Sequence, residues 1–241
     1  MLEPLLMKRH TIIFSVVLSV VIFTVFSSFA HAAPLKFDPD VSPDLKKEIL
    51  ADFSFVNSIK SSSATPLHQK IFGEVSGATY IAWFAKRVFA VGLDDCGNPN
   101  AVACVQPQFA NKIWMTPNYT KFNHPQIARL SVVYHEARHT EADHDNWAHA
   151  ECPTPFKNAQ GQDMHSIWTG ALLQGEPACD VTAFGSYGSA TIFLKNIAKY
   201  CSNCGDKVRA DADLYANDQL GRIIDPASRN AMIADFSGSG I

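Results

Sequence analysis

The sequence predicts an α+β fold in which a small mixed sheet packs on one histidine-bearing helix and the C-terminal half is helical. Short runs with the composition of β-strands lie at residues 87–93, 102–106 and 112–116. The segment after them has apolar residues at helical spacing and contains the pentapeptide His135-Glu-Ala-Arg-His139. Helix-like runs dominate the chain beyond it. A group of strands followed by a group of helices is typical of an α+β domain.

Residues 1–32 are expected to be a signal peptide rather than part of the fold. Basic residues precede an apolar run at 11–26, and Ala30 and Ala32 are small residues at the two positions that signal peptidase reads. The alternative is an uncleaved membrane anchor, because the run is about long enough to span a bilayer. We expect cleavage after Ala32 and a secreted or periplasmic protein with one domain at 33–241.

The composition is that of an ordinary globular protein. The formal net charge is −3, with 18% charged and 47% hydrophobic residues. The chain has no basic block and no basic segment interleaved with aromatic residues, so nucleic acid is not an expected partner. Outside the leader, no segment is apolar enough to cross a membrane. We expect a monomer that does not bind a membrane after signal cleavage.

All six cysteines lie in the exported part, and an even number in an oxidising compartment predicts three disulfides. Short spacing favours the pairs Cys96–Cys104 and Cys201–Cys204. The two remaining cysteines then form the pair Cys152–Cys179. The alternative for the Cys-x-x-Cys at 201–204 is half of a zinc knuckle or a redox pair, but no second Cys-x-x-Cys accompanies it.

The other elements follow from periodicity and from turn residues. Helices are expected at residues 44–59, 79–86, 165–173, 176–200 and 207–224. Gly185 and Gly188 interrupt the longest of these and mark either close packing or a break. Lys112–Met115 is the candidate edge strand that could pair with an extended peptide, and its equal alternative is plain core.

The pentapeptide is the strongest chemical signal in the chain. On a helix, histidines four residues apart share one face, so His135 and His139 can hold one Zn²⁺ while Glu136 addresses a water on the metal. Asn123 is a candidate cap and Pro125 suits the first turn of this helix. The alternative is that these are ordinary helix histidines.

A hydrolytic zinc site needs three protein ligands and one open position, so a third ligand must lie downstream. One candidate is Glu176, with Asp180 four residues later to accept a hydrogen bond from a ligand histidine. The second candidate is Asp145, and the third is His144 or His149. The alternatives are a capping or surface role for Glu176, a solvated aspartate at Asp180, and a solvated polar loop or a calcium site at 143–151.

HExxH followed by ExxxD resembles the gluzincin metallopeptidases, the thermolysin-like superfamily. The resemblance covers the two segments that carry these motifs. It implies a zincin-like domain, Zn²⁺ ligands His135, His139 and Glu176, the general base Glu136, and Asp180 as hydrogen-bond partner of a ligand histidine.

Two departures from known patterns bear on the third ligand. Pro177 directly follows Glu176 and disfavours a helical backbone there, so the glutamate would begin its helix. In metzincins the third ligand lies six residues past the second histidine, after a glycine at the third position. Here those positions hold Asp145 and Ala142.

The expected function is that of a secreted zinc-dependent metallopeptidase that hydrolyses a peptide or protein substrate through a metal-activated water. Tyr187, His149 and His165 are candidate donors to the oxyanion, each with a structural or surface role as its alternative. Two other functions stay open: a zinc-dependent hydrolase of a cell-wall or acyl-amide linkage, and a non-enzymatic binding protein on a zincin scaffold. The intact Glu136 argues against the second.

Overall fold

Hydroxyl side chains cap the first three helices of the fold. The computed structural model describes residues 35–61, 63–121 and 123–238, so the expected signal peptide lies outside the described residues. Helices α1 (Pro43–Ser58), α2 (Pro66–Ile71) and α3 (Gly77–Ala85) each follow a serine or threonine whose hydroxyl accepts a backbone N–H of the first turn. The helices predicted at 44–59 and 79–86 are confirmed, whereas α2 was not predicted.

Four short strands form one mixed sheet: β1 (Lys36–Phe37), β2 (Ala90–Leu93), β3 (Ala103–Val105) and β4 (Lys112–Met115). Their order is β1-β2-β4-β3; the first two pairings are parallel and β3 runs antiparallel to β4. The small mixed sheet is therefore confirmed. Of the two alternatives for Lys112–Met115, the core position is confirmed and the edge position is wrong, because this strand pairs on both sides while β1 and β3 form the edges. Ile113 and Met115 are fully buried, which suits a central strand.

After the short helix α4 (Pro117–Lys121), helix α5 (Gln126–Arg138) carries the histidine motif through the centre of the molecule. It packs against α1 and the sheet, and almost every side chain along it is buried. Pro125 is the residue that precedes the first turn, and no side chain caps this end. Asn123, predicted as the cap, lies too far upstream because the helix begins after the proline.

Three helices follow Gly185 in the described residues: α6 (Ser186–Tyr200), α7 (Asp206–Gly221) and α8 (Pro226–Ser237). Helix α6 packs on both α5 and α7. The helix predicted at 176–200 is wrong in its first ten residues, because the chain becomes helical only after Gly185. The helix starts later than predicted because the backbone of Asp180 pairs with the segment after α7. Asp180 N donates to Arg222 O (2.9 Å), and Ile224 N donates to Asp180 O (2.8 Å).

Residues 165–173 are a tight reversal rather than the predicted helix. His165 and Leu172 form an antiparallel bridge, and Gly170 takes the left-handed φ of 73° that closes the loop. The reversal places Trp168 against the ring of His124, with centroids 3.7 Å apart. This segment therefore packs on the core as a loop.

The three predicted disulfides are confirmed: Cys96–Cys104, Cys152–Cys179 and Cys201–Cys204. None of the six cysteines is free. Three disulfides fit an extracellular protein. In the part of the chain that the structure describes, no helix is both long and apolar enough to span a bilayer.

Candidate metal centre

Three histidine rings converge on one point at the end of α5. The Nε2 atoms of His135, His139 and His149 lie 3.2 Å from one another in all three pairs. His135 and His139 share one face of the helix, as their spacing requires. His149 comes from the chain that follows. A group of this kind could hold a metal ion.

The opposite ring nitrogens fix which tautomer is present. His139 Nδ1 lies 2.7 Å from Asn146 O, and His149 Nδ1 lies 2.9 Å from Asp180 Oδ1. Carbonyl and carboxylate oxygens only accept, so both Nδ1 atoms carry the proton and both Nε2 atoms present lone pairs. The same tautomer at His135 would give three lone pairs that face one another, an arrangement that could hold a metal ion.

The electrostatics of His135 and His139 favour neutral rings. Burial, together with the charge that His149 would carry, lowers the pKa of His139 to about 4. Burial, with the charges that His139 and His149 would carry, also holds the pKa of His135 well below its ordinary value. Neutral imidazole is the form that binds a metal.

A strained turn brings His149 back to the helix. Asp145, Asn146 and Trp147 are consecutive residues with left-handed φ values of 53°, 51° and 49°. Aspartate and asparagine tolerate this region better than other non-glycine residues, whereas tryptophan rarely enters it. The turn reverses the chain without the glycine that a metzincin uses. It also aims the Asn146 carbonyl at His139.

Glu141 anchors this turn. Its carboxylate accepts a hydrogen bond from Trp147 Nε1 (2.7 Å) and from Arg138 Nη1 (2.7 and 2.8 Å). Arg87 Nε donates to the same carboxylate at 2.8 Å. Although burial opposes ionisation, the Trp147 hydrogen bond and the two arginines hold the pKa of Glu141 below its usual value. A charged, multiply bonded carboxylate of this kind can hold a strained backbone in place.

His149 is fixed from the other side by the segment at 176–180. Ala150 N donates to Cys179 O (2.8 Å) and Cys179 N donates to Ala150 O (3.2 Å), next to the Cys152–Cys179 disulfide. This pairing places Asp180 beside His149. The Asp180 carboxylate orients the ring through this hydrogen bond.

Asp180 also closes the start of α6. Its Oδ2 accepts the backbone N–H of Tyr187 (2.7 Å) and of Gly188 (3.1 Å). A Cβ on Gly185 would lie 2.3 Å from this oxygen, so the carboxylate needs a glycine there. One side chain therefore couples the third histidine to the N-terminus of a core helix.

Glu136 is placed beside the histidine group with little to stabilise its charge. It is 4% exposed, and its Oε2 has no hydrogen-bond partner among the described residues. Burial raises its pKa to about 8. A carboxylate that is easily protonated suits proton transfer near neutral pH.

The histidines and Glu136 line a cleft of about 470 Å³. One wall is the edge strand β3 with its flanking residues, and the other is the loop at 166–178. The Tyr187 ring packs on two of these histidines, with its centroid 4.5 Å from that of His135 and 4.6 Å from that of His149. Arg222 Nη1 donates to the Tyr187 hydroxyl at 3.0 Å, which leaves the hydroxyl proton available to another acceptor.

The structure brings together only part of the predicted ligand set. Glu176 lines the cleft but is outside the histidine group, and its backbone carbonyl accepts Cys152 N–H at 2.9 Å. Asp145 forms part of the strained turn. His149, one of the alternative candidates for the third ligand, completes the histidine group.

The other two histidine candidates lie apart from the group. His144 is half exposed and stacks on Trp147, with centroids 4.7 Å apart. His165 is exposed, with Nδ1 3.0 Å from Gly170 O. Arg222, which contacts Tyr187, was not identified from the sequence, because nothing in its local pattern marks it as buried.

Comparison with known protein families, with curated proteins and with solved structures found no match for this chain. The family resemblance therefore stays a prediction.

Proposed function

We propose that the chain is a zinc-dependent hydrolase that cleaves peptide bonds. The observation that carries the proposal is the convergence of three Nε2 lone pairs beside the buried Glu136, at the floor of an open cleft. Structural metal sites have four protein ligands and no access, whereas catalytic sites keep a position open. Three histidines in a cleft fit the second class.

The donor set supports zinc. Ligand nitrogens around a tetrahedral zinc with bonds of about 2.0–2.1 Å lie about 3.3 Å apart, close to the spacing of the three Nε2 atoms. His135, His139 and His149 would hold the ion. When bound, Zn²⁺ would supply a Lewis acid and a water of lowered pKa.

Glu136 is the residue proposed to move the proton. Its side chain follows His135 on the helix, so it can accept the proton of the attacking water and pass it to the leaving amine. A nearby cation favours the ionised carboxylate, which offsets the burial that raises its pKa. The unpaired Oε2 is free for this exchange.

Tyr187 is the proposed donor to the oxyanion. Its hydroxyl accepts from the buried Arg222, which fixes the oxygen and leaves its proton for the substrate. Arg222 is held in turn by Asp218 at 2.9 Å. Donors fixed before the reaction stabilise developing charge more effectively than water does.

The edge strand β3 supports a peptide as the substrate. It pairs with β4 on one side only and forms a wall of the cleft. An extended chain could bind there as an added strand, with its scissile carbonyl near the histidine group. A linear peptide meets this requirement more readily than a branched amide.

The experiment is hydrolysis of quenched fluorescent peptides by the zinc-loaded protein and by Glu136→Gln. We expect the variant to keep its zinc and to lose a factor of about 10²–10⁴ in kcat, because only the proton acceptor is removed. Glu151→Gln, an exposed neighbouring acid, is the matched control and keeps full activity. A wild type that cleaves no peptide, or a Glu136→Gln that cleaves as fast, would refute the proposal.

A further inference from the structure

Beyond the histidine group, the cleft has a second, polar floor, and the proposed chemistry uses only the contact of its Arg222 with Tyr187. Ser131, Trp168, Gln219 and Arg222 line the same cleft, and each is at most 7% exposed. Asp218 lies beside them with 12% of its side chain exposed. Residues that are nearly buried yet line an open cleft form the bottom of a deep pocket.

The orientation of the Gln219 amide is set by Ser131. The Ser131 hydroxyl has one proton and donates it to Ala128 O at 2.7 Å. It can therefore only accept from Gln219, whose Nε2 lies 3.3 Å away. The Gln219 Oε1 is left as a buried acceptor without a partner among the described residues.

Arg222 offers the complementary group. Its Nη1 and Nη2 donate to Tyr187 and to Asp218, while Nε is a buried donor without a partner in the part of the chain described. Gln219 and Arg222 are three positions apart at the end of α7, so they share one side of it. An unpaired acceptor and an unpaired donor thus lie on one side of the same pocket.

The two charges of this floor balance each other, although Glu136, Asp145 and Glu176 line other parts of the cleft. Asp218 and Arg222 form an ion pair at 2.9 Å, so a charged side chain would find no free counter-charge within the floor. An apolar side chain would leave both unpaired groups buried, which is costly. A neutral carboxamide can accept from Arg222 and donate to Gln219 when their side chains rotate to expose these two buried atoms, while the Trp168 ring provides an apolar wall.

We propose that this floor is a specificity subsite for a neutral side chain that both donates and accepts hydrogen bonds, namely the carboxamide of glutamine or asparagine. The proposal rests on the proposed function, because it concerns which peptides the same site takes. It makes Gln219 the residue that distinguishes an amide from an isosteric acid or an apolar side chain.

The test uses matched hexapeptides that differ only in carrying Gln, Leu, Glu or Lys next to the scissile bond, on either side of it. With the zinc-loaded wild type we expect kcat/KM for the best Gln peptide to exceed that for its Leu, Glu and Lys counterparts by about tenfold or more. Gln219→Leu should abolish this preference, and Gln219→Glu should shift it towards Lys. The control Gln160→Leu, on an exposed loop, should keep it.

A separate binding measurement tests the subsite independently of peptide hydrolysis. Fluorescently labelled hexapeptides are titrated onto zinc-loaded Glu136→Gln, with circular dichroism and zinc content verifying the fold of every variant. If no peptide is cleaved but the Gln peptide binds at least about tenfold more tightly than the other peptides, the hydrolase proposal is refuted and the subsite proposal is retained. Equal affinities or no binding, an equal preference for Leu, or a preference that survives Gln219→Leu would overturn the subsite.

Discussion

Two sets of histidines in this fold differ in their hydrogen bonds. His68 is fully buried, with Nδ1 2.9 Å from Gly73 O and Nε2 2.7 Å from the Tyr80 hydroxyl. Both of its nitrogens have partners within the fold, so it is a satisfied structural residue. In the candidate metal centre, by contrast, each Nε2 faces only other histidine nitrogens.

His68 should make stability depend on pH. Burial lowers its pKa from 6.5 to about 4, so the unfolded chain binds a proton between these values and the folded chain does not. Stability is therefore fully present above about pH 6.5 and is lost as the pH falls towards 4, by about 2 kcal/mol between pH 7.5 and pH 5.

Urea unfolding of wild type and His68→Gln in the same metal state measures this effect. The stability advantage of the wild type should shrink by about 2 kcal/mol at pH 5. His144→Gln, on an exposed turn, should leave the pH dependence as it is in the wild type. An unchanged difference between wild type and His68→Gln would show that this ring does not govern the acid response.

At the scale of elements, the site depends on how α6 begins. Asp180 accepts backbone N–H groups of α6 with one oxygen and the His149 ring with the other. Gly185 leaves room for this carboxylate directly before the helix. The start of α6 and the third histidine are therefore one structural unit.

Two glycines that precede helices provide a matched test. A methyl group on Gly185 would meet the Asp180 carboxylate, whereas one on Gly205, before α7, would meet nothing within 4 Å. We expect Gly185→Ala to weaken zinc affinity by about 10–100-fold, because Asp180 must move away from His149. Competition with a chelating dye gives both affinities. Equal affinities for Gly185→Ala and Gly205→Ala would show that Asp180 does not position the ring.

The sequence could predict the elements that carry a local signal. Helix α5 was predictable because its apolar positions and the histidine spacing agree with one period, and the sheet because its strands are separated by turn residues. His149 could not be favoured from the sequence, because a strained turn brings it to the helix. That turn is held by Glu141, whose carboxylate binds Trp147 of the turn, the neighbouring Arg138 and the distant Arg87. Pro177 was expected to place Glu176 at the start of a helix, and this was wrong, because the chain becomes helical only after Gly185.

On the scale of the whole molecule, the site is assembled from both halves of the chain and is held by a covalent link. The Cys152–Cys179 disulfide joins the segment that follows His149 to the segment that contains Asp180. Cys96–Cys104 closes a loop between β2 and β3 instead. The Cys152–Cys179 disulfide therefore constrains His149 and Asp180, whereas the Cys96–Cys104 disulfide constrains the wall of the cleft.

Removing these links one at a time should separate the two effects. We expect the Cys152→Ala/Cys179→Ala double variant to bind zinc about tenfold more weakly or worse, because His149 and Asp180 are then held only by hydrogen bonds. The Cys96→Ala/Cys104→Ala double variant should lose stability but keep its zinc affinity. Calorimetric titration with zinc distinguishes them. The same loss in both double variants would contradict this account.

The identity of the third ligand is tested most directly by the metal content of three purified proteins: wild type, His149→Ala and Glu176→Ala. We expect about one zinc per chain in the wild type and in Glu176→Ala, and almost none in His149→Ala after dialysis, because two histidines alone hold the ion weakly. Retention in His149→Ala together with loss in Glu176→Ala would restore the glutamate as the ligand and contradict the three-histidine site. A wild type without zinc would refute the metal centre itself.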